Sequence, residues 1–94
     1  MIIVNNLRRP GLMYDSSKLA ILLNKITGDI NNRTKGAYLA KGKISGQTLQ
    51  ITVLQLNPET QKYSPVQKNE QEILAGRISG FLNGNGISHD IKVK

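Results

Sequence analysis

Residues 37–44, "AYLAKGKI", and residues 48–56, "TLQITVLQL", flank a short turn segment, "SGQ", at 45–47. Strand-forming residues alternate with polar ones on both sides of a glycine-containing turn, which is the pattern of a β-hairpin. A two-residue Ser45-Gly46 loop sets Ile44 opposite Gln47, Gly42 opposite Leu49, Ala40 opposite Ile51 and Tyr38 opposite Val53. That face is mostly apolar. The other collects Leu39, Lys41 and Lys43 against Thr52, Gln50 and Thr48. A one-residue slip would bury the lysines, so the choice of core face is strongly specified.

The rest of the chain must cover the apolar side. "MIIV" (1–4) is a continuous apolar run, as a central strand buried on two sides would show. "NNLRRPGLMYD" (5–15) reads as a long polar connection broken by the turn pair Pro10-Gly11. Asp15, Ser16 and Ser17 then offer a helix N-cap. Leu19, Leu22, Leu23, Ile26 and Ile30 follow at helical spacing, and "NNRTKG" (31–36) breaks the helix.

Beyond the hairpin, "NPETQKYSPVQK" (57–68) reads as a polar loop. A second helix has Ile73, Leu74, Ile78, Phe81 and Leu82 as its apolar positions, with Glu70 and Glu72 near its positive end. Gly76 and Gly80 are expected to let this helix pack closely on a sheet. "NGNG" (83–86) stops it. In "ISHDIKVK" (87–94), Ile87, His89, Ile91 and Val93 alternate inward with Ser88, Asp90, Lys92 and Lys94 outward.

The expected fold is therefore α+β, a single domain over 1–94 with the order β-α-β-β-α-β. This is the ferredoxin-like sandwich: a four-stranded antiparallel sheet with two helices on one face. The first and third strands are central. The second and fourth are edges, and they carry the lysines that discourage edge-to-edge association.

Composition narrows the function. There is no cysteine, which removes thiolate nucleophiles, disulfides and cysteine-based zinc sites. The opening apolar run is too short for a signal peptide, and no stretch has the ~20 apolar residues a membrane span needs. A cytoplasmic protein with no membrane partner, viral components included, is the simplest expectation. The lone histidine, His89, has no second ligand at metal-binding spacing, and no serine is placed beside a base by the sequence. No enzyme, no cofactor and no metal are expected.

The charge points elsewhere. Formal net charge is +7. Residues 1–52 carry eight basic residues against two acidic ones, and residues 53–94 five against four. Such an excess suits a polyanion, nucleic acid (DNA or RNA) or an acidic protein. The candidate nucleic-acid-binding residues are Arg8, Arg9, Arg33, Lys35, Lys41 and Lys43. Pro10 holds Arg9 extended, which lowers the entropy cost of ordering the arginine pair on phosphate. Lys41 and Lys43 stand beside Thr48, Gln50 and Thr52, the residue types that contact phosphates. Arg8/Arg9 and Arg33/Lys35 are expected at opposite ends of a basic track through Lys41 and Lys43.

The expected function is a non-enzymatic module contacting mainly phosphates with weak sequence preference, with a homodimer as one way to enlarge its footprint. The open face is expected to lack stacking aromatics, because Tyr38 falls on the core side. Two alternatives follow from the same residues. One is an inhibitor or adaptor, phage-encoded for example, docking on an acidic protein surface through loop 57–68. The other is a structural subunit that buries Leu39 and Leu54 in an interface.

Overall fold

A computed structural model describes residues 1–94. The elements are β1 (Ile2–Arg8), α1 (Ser16–Arg33), β2 (Tyr38–Ser45), β3 (Thr48–Asn57), β4 (Lys62–Pro65), α2 (Lys68–Gly84) and β5 (Ser88–Val93). The order is β-α-β-β-β-α-β, an α+β fold that is roughly ferredoxin-like but has five strands rather than four. All pairings are antiparallel, and the strands run β2-β3-β1-β5 across the sheet. The central and edge strands are thus those expected.

The fifth strand corrects the reading of 57–68 as a plain loop. β3 is ten residues long but meets β1 only through residues 49–51. Its far end would leave unpaired backbone groups on that edge, which are costly. The chain turns back through Gln61 at φ +58, and β4 pairs with residues 54–57. Every β4 residue is exposed, so no alternation announces it.

The hairpin register also differs. Gly42 faces Ile51, Ala40 faces Val53, Ile44 faces Leu49 and Tyr38 faces Gln55. The loop is Gly46-Gln47, one residue later than expected, which slides the pairing by two and keeps every residue on its expected face. The turn decides this. Gly46 takes φ +62 at the first loop position, where a Ser45-Gly46 loop would force a serine into the left-handed region.

β1 is longer than the apolar run implied. Asn6, at φ +54, makes a bulge between the Asn5↔Asp90 and Arg8↔Ser88 pairs. Its side-chain amide donates to Asp90 Oδ2. The extra residue reverses the alternation. Leu7 consequently packs on the core, while Arg8 lies opposite Ser88 on the other face.

α1 is capped by Asp15, whose carboxylate accepts from the Lys18 N–H at 2.9 Å. It continues through Gly28 to Arg33, and Arg33 Nε pairs with Asp29 Oδ1 at 2.9 Å. Both helices cover one side of the sheet. Leu19, Leu22, Leu23, Ile26 and Ile30 of α1 and Leu74, Ala75, Ile78 and Leu82 of α2 share one core with Ile2, Val4, Leu49, Ile51 and Val53. The glycines of α2 play no packing role, since a Cβ at Gly76 or Gly80 would meet nothing within 4 Å. Ile73, expected among the apolar positions, is 56 % exposed.

A bond between layers gives a pH-dependent contribution. The half-buried Tyr38 hydroxyl donates to Glu70 Oε1 at 2.7 Å, tying β2 to α2. That bond, then burial, then the Glu70 charge raise the Tyr38 pKa above its ordinary value of 10.0, with Arg77 pulling the other way. Below that pH both folded and unfolded chains hold the proton and the bond contributes in full. Above it the unfolded chain releases its proton first, so this contribution falls as pH rises. Tyr38→Phe should cost about 1 kcal/mol at neutral pH. By urea unfolding, the gap between wild type and variant should stay constant up to about pH 10 and shrink beyond. A gap that widens with pH would contradict the assignment.

Candidate nucleic-acid interface

The side of the sheet away from the helices is open, and the registers fix its side chains in rows. Lys43, Gln50, Ile3 and Lys92 form one row, each opposite the next on β2, β3, β1 and β5. The neighbouring row is Lys41 and Thr52, then Met1, whose carbonyl accepts from the Lys94 N–H at 2.8 Å. Four lysines thus stand in two pairs, one pair along each edge. Residues two apart on a strand are separated by ~7 Å, and three inter-strand spacings make ~14 Å across. The lysines therefore border a patch of roughly 7 by 14 Å. Its middle is amide, hydroxyl and aliphatic. Ile3 is only 7 % exposed although it faces this side; the long stems of Gln50 and Lys92 beside it can lie over it.

None of the four lysines has an ion-pair partner, because Arg33–Asp29 is the only ion pair in the molecule. The carboxylate on this face, Asp90, is engaged by the neutral amide of Asn6. Arg8, re-aimed by the bulge, extends the basic face beyond Asp90.

The other candidates separate. Arg9 is turned to the helical side, lining a cavity with Tyr14, Lys18 and Lys25. Arg33, also on that side, is held by Asp29. Lys35 sits in the turn after α1 at φ +52, outside β2. Of the six residues, the registers set Arg8, Lys41 and Lys43 on the open face, while Arg9 and Arg33 lie on the helical side, so the six do not form the single track expected. Lys92 and Lys94, read from the sequence as edge protection, complete the group. Their outward alternation was the available signal.

The open face also has an aromatic, contrary to expectation. Tyr63 lies opposite Leu56 on β4, so it shares the face of Leu54, Leu39 and Pro65. Its hydroxyl donates to the Gly36 carbonyl at 3.2 Å, which draws the ring from β4 across β3. The residue is 42 % exposed. Leu39, Leu54 and Leu56 are only half-exposed, because they lie side by side with Tyr63 and Pro65.

His89 does have a serine beside it. Its Nε2 lies 2.8 Å from Ser79 Oγ and its Nδ1 3.1 Å from the Ile87 carbonyl. A carbonyl can only accept, so Nδ1 carries a proton, and in the neutral imidazole Nε2 then accepts from the serine hydroxyl. Ser79 is mid-helix, where backbone N–H groups are committed to the helix. The pair straps α2 to β5. No three histidine, cysteine or acidic side chains gather as a metal would require, and no helix is long and apolar enough to cross a membrane. No family model, curated protein or solved structure matches the chain.

Proposed function

We propose that this protein is a non-enzymatic nucleic-acid-binding module that takes a single strand across its open sheet face. The reading rests on one observation: four unpaired lysines from both edge strands converge on the face that also exposes Tyr63. Lysines contact phosphates as point charges without reading sequence. A duplex presents only its backbone to such a face, whereas a single strand can also stack a base on the tyrosine.

Fluorescence anisotropy with labelled single strands and duplexes of the same sequence tests this. Tyr63→Ala should weaken single-strand binding about five- to a hundredfold, the range for one stacked base, and leave duplex binding unchanged. Tyr63→Phe, which keeps the ring, should behave nearly as wild type. Equal losses for single strand and duplex would remove stacking from the mechanism. No binding by wild type at low salt would remove the function.

A further inference from the structure

We propose that the seam between α1 and α2, on the side opposite the open sheet face, is a second binding surface, for an acidic amphipathic helix of a partner protein. α1 rests on β2 and α2 on β5, and the two helices share the core beneath them. Between them lies a cavity of about 600 Å³. Its base is closed by the buried Ile26 and Ile30 of α1 and Leu74 and Ile78 of α2, and the half-buried Phe81 is the apolar side chain that it presents. A smaller cavity of about 170 Å³ continues the seam toward the start of α1. Phe81 lines both and joins them into one trough.

The rim is cationic. Arg77 flanks the wide end, and Arg9, Lys18 and Lys25 flank the narrow end. Asp29 and Arg33, the other two charged residues here, neutralise one another in an ion pair. An apolar floor between basic rims is complementary to an apolar stripe between carboxylates. From Lys18 to Arg33 the trough follows α1 for ~22 Å, about four helical turns. A groove between two helices suits a third helix, anchored by apolar residues at helical spacing. A phosphate backbone offers no apolar side chains to cover the exposed Ile21 and the half-buried Phe81 along this seam.

The probe is a fluorescein-labelled synthetic peptide of about four turns, with leucines on one face and glutamates flanking them. The control is an isomer of identical composition with the leucines scattered. Titrated into the full chain, the striped peptide should bind at least about tenfold more tightly than the isomer. Amide shifts on binding should gather at Ile30, Ile78 and Phe81. Arg77→Glu should weaken binding about tenfold or more, because a like charge then faces the peptide. Arg77 is exposed and has no ion-pair partner, so the variant should melt as wild type does; Lys25→Glu provides a second test in the same sense. Equal binding of the two peptides would reduce the trough to non-specific charge attraction and overturn the proposal. So would shifts confined to the open sheet face, or no binding at all. None of these results bears on whether the sheet face binds nucleic acid.

Discussion

Affinity for a single-stranded oligonucleotide should fall about fiftyfold when salt rises from about 50 to about 200 mM, and most of that dependence should vanish when Lys41, Lys43, Lys92 and Lys94 are replaced by glutamine. Each phosphate neutralised on a single strand contributes about −0.7 to the slope of log affinity against log salt. Four lysines give a slope near −2.8, and a fourfold rise in salt then costs about 1.7 logarithmic units. Replacing one edge pair alone, Lys41 and Lys43 or Lys92 and Lys94, should remove about half of the slope. The two pairs should be equivalent, because the registers place them symmetrically about the Gln50 and Ile3 column. Arg33→Ala should leave the slope unchanged, since Arg33 lies on the helical side, paired with Asp29. A slope that responds to Arg33 and Lys35 but not to Lys92 and Lys94 would restore the end-to-end basic track and refute the lysine-bordered patch. Glutamine keeps the first two methylenes of the lysine stem, including those of Lys92 beside Ile3, so lost binding would report chiefly lost charge.

That patch was half legible in the sequence, and the reason is geometric. Alternation fixes which face a residue takes, so Lys41, Lys43, Lys92 and Lys94 could each be set outward from their own strands. Their convergence depends on strand order, which alternation does not encode. The same limit explains the hairpin. The face of Gly42 and Ala40 follows from hydrophobic pattern, but a slide of two residues leaves that pattern intact, and only the backbone demand at Gly46 separates the two registers. The bulge at Asn6 was hidden for a different reason. One inserted residue inside "NNLRR" reverses parity without changing composition, and it alone sends Leu7 to the core and Arg8 to the open face. β4 had no signal of its own. It forms because β3 outruns β1, so its cause lies in the length of another strand. In the sequence Tyr63 consequently reads as a loop residue, and the open face as one without an aromatic.

A large stability effect should come from the smallest side chain. Gly42→Ala should destabilise the fold by about 2 kcal/mol, a drop of about 10 °C in Tm for a domain of this size. Strand propensity alone predicts the opposite sign, because glycine inside a strand costs about 0.5–1 kcal/mol relative to alanine. Gly42 has no left-handed backbone to excuse it, since it is absent from the positive-φ residues. What it has is a neighbour. A Cβ at Gly42 would overlap Leu23 Cδ1 and Cγ and lie 2.7 Å from Leu23 Cδ2. Leu23 is a buried residue of the α1 core stripe, so its side chain cannot swing into solvent without opening the α1–β2 contact. Leu23→Ala alone should cost about 3 kcal/mol through the space it leaves. The double variant should be more stable than the two single losses together imply, by about 1–2 kcal/mol, because the new methyl group occupies room that Leu23 vacates. Gly28→Ala and Gly80→Ala serve as controls within the same protein. A Cβ at either would meet nothing within 4 Å, so both should stabilise their helices by about 0.5–1 kcal/mol. If Gly42→Ala raised the melting temperature as these controls should, α1 could not sit on the bare backbone of β2 at this point. The close approach of helix to strand that shapes this side of the core would then need another cause.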